Sequence, residues 1–417
     1  MNGLKPWIKP IRVLGKYPAS SFIERHGNMT YIHEELLGHT RLPISITEII
    51  LFIIMMYLFV SNGGKWRLCL GSFLLVYWLV IVSGKFWPAP KFEVPKSPLS
   101  VKTLLEKDPT HANFVWNDEY QVGLWWHLFP VKKYFLIYNR ILEEKILTPD
   151  DFIQSGPLYD RDLTLVHSRG YMARLYHLAL TPIGLINGEN PISWNIFKKL
   201  KVACGGTYLA CKIALEKGMG MNLGGGFHHA FASHEEGFCH LNDIAVAIRK
   251  LQVERYIDRA MVVDCDVHQG NGTASIFQGD HTVFTFSIHQ DDIYPYQKAY
   301  SNYDISLHGN LRVDDEMYLE HLKVLPDLIK KHRPDLVIYL AGADPFKKDR
   351  LGGFLLTKQG LMDRDVYVMS LCTRLSIPVA IVLGGGYAPK IDDTVDIHLN
   401  TVRVVNRLLK EIHTHKK

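Results

Sequence analysis

An α/β fold built on a parallel sheet is predicted by three observations. Short apolar runs without polar alternation recur between residues 219 and 383. Stretches of helical periodicity lie between them. Glycines and potential ligands follow the runs at their C-terminal ends. Unalternated strands separated by helices mean a sheet covered on both faces.

The chain begins differently. Residues 1–96 carry 11 Lys and Arg against 5 Asp and Glu, so the basic excess sits in the first quarter. The remainder is close to neutral, which argues against direct nucleic-acid binding. Six cysteines are scattered without a C-x-x-C pair. That spacing suggests neither a zinc knuckle nor a disulfide framework, and reads as reduced thiols.

Residues 1–43 form a basic N-terminal segment. Residues 44–84 predict a two-helix membrane hairpin. Its apolar runs are residues 49–60 and 68–82, joined by the turn Asn62-Gly63-Gly64. Ser45 and Glu48 have capping-box spacing ahead of the first run. Both runs are apolar on every face, and with their Tyr, Trp, Lys and Arg flanks they approach the about 20 residues a span needs. A helical hairpin packed on the domain is the alternative. Lys and Arg before the first run and after the second place both ends in the cytoplasm, although Lys65 and Arg67 in the turn oppose this. The expected location is therefore membrane-associated, with the domain that follows the hairpin in the cytoplasm. Residues 85–113 contain five prolines amid charges and read as a linker.

The domain over 114–412 holds the predicted strands. They are Met219-Gly220-Met221-Asn222-Leu223, Ala260-Met261-Val262-Val263, Thr282-Val283-Phe284-Thr285-Phe286, Leu336-Val337-Ile338-Tyr339-Leu340 and Pro378-Val379-Ala380-Ile381-Val382-Leu383. Residues 242–251 and 318–332 show helical periodicity.

Four strand ends carry chemistry. After Leu223 come Gly224-Gly225-Gly226-Phe227-His228-His229. After Val263 come Asp264, Asp266 and His268, then Gly270-Asn271-Gly272. After Leu340 come Ala341-Gly342-Ala343-Asp344, and after Leu383 come Gly384-Gly385-Gly386-Tyr387. Ligands of open parallel sheets bind outside the carboxyl ends of the strands. Side chains two apart on a strand share a side, so Asp264, Asp266 and His268 can line one face. The simplest site is one metal held by Asp266, His268 and Asp344, with coordination left for water and substrate. The adjacent histidines supply general base and acid, and Tyr387 a hydrogen bond to a developing oxyanion. These parts describe metal-assisted amide hydrolysis. Turn, cap or core roles are the alternatives for each, and His234, His240, His281 and His289 read as structural.

Together these motifs, with Gly237-Phe238-Cys239-His240-Leu241-Asn242-Asp243 and Asp349-Arg350-Leu351-Gly352-Gly353, resemble the zinc-dependent histone deacetylase family. The resemblance is closest to its class IV branch and bacterial relatives, and covers about residues 114–412. It implies an arginase/deacetylase-like three-layer fold with a central parallel sheet of about eight strands. It implies one zinc ion on Asp266, His268 and Asp344. His229 becomes general base and acid, His228 its charged partner oriented by Asp264, and Tyr387 the group that polarises the acyl carbonyl. Gly237 and Phe238 would line an acyl-lysine tunnel. A structural potassium ion would be held by carbonyls of Asp264, Asp266 and His268, with Ser287 and Ile288 nearby.

Three positions depart from the family pattern. Asn271 stands where class I enzymes have a second carboxylate, a feature shared by classes II and IV. Trp125-Trp126-His127-Leu128-Phe129-Pro130 matches the family's early His-Pro-type motif poorly. The N-terminal quarter is foreign to the family core. The resemblance implies a protein-lysine deacylase acting on acetyl or long-chain fatty acyl groups. Its partners would be acylated proteins such as histones, and a nuclear location is the alternative. A small-molecule amidohydrolase such as an acetylpolyamine deacetylase is the second reading, for which the acidic pair Asp291-Asp292 is a candidate rim. A membrane-tethered binding module is the third.

Overall fold

The computed structural model describes residues 112–120 and 128–415. The segments 1–43 and 44–84, nearly all of the linker and Trp125-Trp126-His127 lie outside the described residues. Among the described residues, no helix is long and apolar enough to cross a membrane.

Eight strands form one sheet in the spatial order β2-β1-β3-β8-β7-β4-β5-β6, and every pairing is parallel. Five are the predicted ones: β3 (Met219–Asn222), β4 (Ala260–Asp264), β5 (Val283–Gln290), β7 (Leu336–Ala341) and β8 (Val379–Leu383). Three were not predicted: β1 (Phe114–Trp116), β2 (Phe152–Gln154) and β6 (Tyr303–Leu307). The first two are three residues long and β6 is largely solvent-facing, so none presents a sustained apolar run.

The central strands feed two separate cores. Met261 and Val263 of β4, Val337 and Tyr339 of β7 and Ile381 of β8 pack on one face. Their neighbours Val262, Ile338, Leu340, Ala380 and Val382 pack on the other. Alternate side chains of a strand point to opposite faces, so continuous apolar runs are what a doubly covered sheet requires. Full burial of each large aliphatic side chain contributes about 1.5–3 kcal/mol.

Helices α4 (Trp194–Lys217) and α5 (Asp243–Val253) contribute Cys211, Ala214, Ile248 and Leu251 to the second core. Helices α1 (Lys132–Glu143), α9 (Lys358–Arg374) and α10 (Ile391–His415) contribute Ile137, Val368 and Val402 to the first. Of the remaining helices, α3 (Arg169–Leu180) packs on α4, and the short α2 (Asp160–Leu163) and α6 (Asn271–Ile276) pack on α5.

Helix α5 begins where Asn242 Oδ1 accepts from Ala245 N at 2.9 Å. The single helical stretch expected over 318–332 is two helices, α7 (Asp315–Leu322) and α8 (Leu325–His332). Pro326 lacks the N–H an uninterrupted helix needs there, and instead sits in the first turn of α8.

The sheet order has a functional consequence. β3, β8, β7 and β4 are consecutive neighbours. The four glycine-rich ends singled out in the sequence therefore open side by side.

Candidate active site

Asp266, His268 and Asp344 converge, with ligand atoms within 4.8 Å of one another. His268 Nδ1 lies 3.0 Å from Asp266 Oδ1 and 3.2 Å from Asp344 Oδ2. Backbone donors fix the opposite oxygens. Gly385 N donates to Asp266 Oδ2 at 2.7 Å, and Val267 N to Asp344 Oδ1 at 2.9 Å. Each carboxylate thus turns its other oxygen toward the imidazole, and Asp266 Oδ1 also accepts from His268 N at 3.0 Å.

All three side chains are buried. Burial, reinforced by the Asp266 carboxylate, pushes Asp344 up to about 7. Burial works against ionised Asp266 as well, but the facing His228 and His268 hold it well below the usual carboxylate range. Burial would lower His268, yet hydrogen bonds to the two carboxylates lift it to about 10. Two buried carboxylates and an imidazole with convergent ligand atoms are a donor set that fits a divalent cation.

Close approach explains the glycines. A Cβ on Gly385 would stand 1.9 Å from Asp344 Oδ2, and one on Gly237 2.4 Å from His229 Cδ2. Gly237 and Phe238 both adopt positive φ, 53° and 66°, which turns the Phe238 ring toward Phe129 and Tyr387 at centroid distances of 6.3 and 6.2 Å. Phe238 is thus a non-glycine residue in a sparsely populated backbone region beside the site.

The paired histidines have different partners. His228 Nδ1 is 2.8 Å from Asp264 Oδ2, and its Nε2 is 3.9 Å from Asp266 Oδ1. Burial opposes its charge, but the two carboxylates raise it to about 9. His229 Nδ1 is 2.7 Å from Asn271 Oδ1. Burial, with the charges of His228 and His268, holds His229 well below the usual imidazole range. The two histidines are therefore pulled in opposite directions, His228 toward its charged form and His229 toward its neutral one.

Tyr387 is buried, its N–H donating to Asp349 Oδ2 at 2.6 Å and its carbonyl accepting from Arg350 Nε at 3.0 Å. Burial, then the carboxylates of Asp344 and Asp266, raise its hydroxyl well above the ordinary value, so it stays a donor. Ser287 lies opposite Asp264 in the β4–β5 register, followed by Ile288, so the expected potassium-site residues are adjacent. The structural histidines behave as expected where contacts define them. His240 Nε2 meets the Asn190 carbonyl at 3.1 Å, and His289 Nδ1 meets Ser287 Oγ at 2.9 Å.

Sequence reasoning missed several supporting residues, Asp349 and Lys133 among them. Asp349, in the Asp349-Arg350-Leu351-Gly352-Gly353 motif, accepts from Tyr387 N and so seats the Tyr387 backbone. Lys133, fully buried, donates through Nζ to the carbonyls of Gly384 and Gly385, and Gly385 N in turn donates to Asp266 of the candidate metal site. Burial lowers it to about 8, against the pull of Asp344 and Asp266. Its only signal was a lysine beside an apolar helical stretch.

The parallel sheet and this grouping of histidines, carboxylates and a tyrosine at its carboxyl edge define a hydrolase of the deacetylase kind. A family model described as the histone deacetylase domain matches residues 127–402, and the chain belongs to that family. An uncharacterized protein of the cyanobacterium Picosynechococcus sp. is 43% identical over 65% of this chain and 90% of its own length. Histone deacetylase 2 of Arabidopsis thaliana is 31% identical over 61% of this chain and 66% of its own length. The crystal structure of the HDA15 HD domain matches with a TM-score of 0.62 at 21% identity, over 72% of this chain and 90% of that one, a likeness of fold.

Proposed function

We propose that the chain hydrolyses the acyl amide of N6-acyl-lysine in proteins, using a zinc ion on Asp266, His268 and Asp344. The observation that carries this reading is the placement of His228 on the Asp264 carboxylate and of His229 on the Asn271 amide, side by side at the convergent triad. When bound, zinc supplies Lewis acidity to the acyl carbonyl and to water. His229 takes a proton from the attacking water as its oxygen bonds the carbonyl carbon. His228, held charged by Asp264, favours the negative charge that develops. The Tyr387 hydroxyl donates to the forming oxyanion. His229 then passes its proton to the lysine nitrogen as the C–N bond breaks. Gly237 and Phe238 line the approach of the acyl-lysine stem. A potassium ion beside Asp264 and Ser287, and the class IV-like reading suggested by Asn271, belong to the same proposal.

An apolar cavity of about 60 Å³ supports acyl groups longer than acetyl. It shares Phe129, Gly225 and Phe227 with the space beside the metal cluster, and runs on to Ile196 and Leu200. The deciding experiment compares acetyl-lysine and myristoyl-lysine peptides with purified full-length protein, using Asp266→Asn as control. Turnover lost in the control supports the reading, and the preferred chain length defines the substrate.

A small-molecule amidohydrolase is the second reading. It is favoured by the exposed cluster of Asp291 and Asp292, just after β5, with His308, just after β6. Acetylpolyamine turnover exceeding both peptides would establish it. For location, the apolar runs 49–60 and 68–82 support a membrane-associated enzyme with a cytoplasmic domain, and a nuclear enzyme acting on histones is the alternative. Recovery in the membrane pellet after a high-salt wash separates the two.

A further inference from the structure

We infer that Glu236 is a positioning residue that fixes the tautomer of His229 by holding Asn271 in one orientation. The inference rests on the reading of His229 as the base.

An asparagine amide has an acceptor end and a donor end of nearly the same shape, so its direction must come from its neighbours. Asn271 has three. Gly272 N–H donates to Oδ1 at 3.0 Å. Nδ2 donates to Glu236 Oε1 at 2.9 Å. Oδ1 faces His229 Nδ1 at 2.7 Å. Reversing the amide would set its NH2 against the Gly272 N–H and its oxygen against the Glu236 carboxylate. Both contacts would become repulsive. Oδ1 therefore stays toward His229. A carbonyl oxygen only accepts, so His229 Nδ1 carries the hydrogen and Nε2 keeps its lone pair for the reaction.

Glu236 is itself held in place. Tyr294 OH donates to the same Oε1 at 2.8 Å, and its ring stands edge-on to His229 with centroids 5.0 Å apart. Glu236 and Cys239 exchange backbone hydrogen bonds at 3.1 and 2.8 Å across Gly237 and Phe238. The turn that forms the tunnel wall thus also places the carboxylate. Oε2 lies 3.5 Å from Nε2 of the partly exposed His234. An amide does not relay a proton at neutral pH, so Glu236 takes none from His229. Its effect is orientation.

The test uses the 15N-histidine-labelled full chain, with His229 assigned by difference against His229→Gln. Wild type should show the Nδ1–H tautomer. Glu236→Gln keeps an oxygen for both donors and should keep that tautomer and most of kcat. Glu236→Ala should populate the Nε2–H form and lose roughly tenfold in kcat with KM little changed. If Glu236→Ala does not fold, Glu236→Ser, too short to reach Asn271, carries the comparison. An unchanged His229 tautomer in the short variants overturns the inference, as does a Gln variant as impaired as Ala. Absence of turnover in wild type would instead overturn the proposed reaction, since the tautomer is read without substrate.

Discussion

His228 Nδ1 and Asp264 Oδ2 lie 2.8 Å apart, and both side chains are buried. The next residue, His229, meets the amide of Asn271 at a similar distance. Adjacent and equally buried, the two histidines differ chiefly in the charge of their partner. Burial opposes charge on both; His228 alone has a carboxylate in hydrogen-bond contact to overcome it, while His229 is also opposed by the imidazoles of His228 and His268.

Asp264→Asn keeps the hydrogen-bonding shape and removes that carboxylate. The variant should lose roughly 10–100-fold in kcat with KM little changed. Steady-state kinetics on an acyl-lysine peptide measures it. A wild-type kcat would show that the His228 charge is not used.

Tyr387→Phe removes one hydroxyl from a site whose backbone remains clamped by Asp349 and Arg350. The expected loss is roughly 10²–10³-fold in kcat, the range for one oxyanion donor. Zinc content should be unchanged. A matching rise in KM would place the hydroxyl in ground-state binding.

Much of this site could be read in the sequence because its residues follow short apolar runs. Asp266, His268 and Asp344 sit just past β4 and β7, where a parallel sheet delivers ligands. Glu236, Asp349 and Lys133 could not be assigned in the same way. Each acts through a backbone or amide partner far away in the chain: Lys133 reaches Gly384 and Gly385, and Asp349 reaches Tyr387. Such partnerships depend on loop geometry, which periodicity does not encode. β1 and β2 escaped for a related reason, since three-residue strands are defined by their neighbours rather than by a pattern.

Gly385→Ala tests the packing of the metal cluster. The added methyl would meet Asp344 Oδ2 at 1.9 Å and Asp266 Oδ2 at 3.0 Å. Both carboxylates must shift, and with them the donor set. Zinc retained after dialysis, read by atomic emission, should fall roughly tenfold or more while far-UV circular dichroism is preserved. Full zinc content would mean the cluster can open without losing the ion.

The pH response of stability should carry the mark of His167. Its Nε2 accepts from Asn242 N at 3.0 Å, so the ring is neutral and its Nδ1 donates to the Phe231 carbonyl, also at 3.0 Å. These bonds tie the start of α5 to the loop beyond His228 and His229. Burial lowers His167 from 6.5 to about 4, against the Phe231 hydrogen bond, which favours the charged form. Between those values the unfolded chain binds the extra proton and the folded one does not. Stability is therefore fully present above 6.5 and is lost as pH falls toward 4. The whole shift corresponds to roughly 3 kcal/mol. Urea unfolding from pH 7.5 to 4.5 should show the decline in wild type. His167→Gln, which can keep both hydrogen bonds but does not titrate, should lack that portion of it. Identical slopes in the two proteins would mean that the folded chain accommodates a charged His167, and that other groups govern its acid sensitivity.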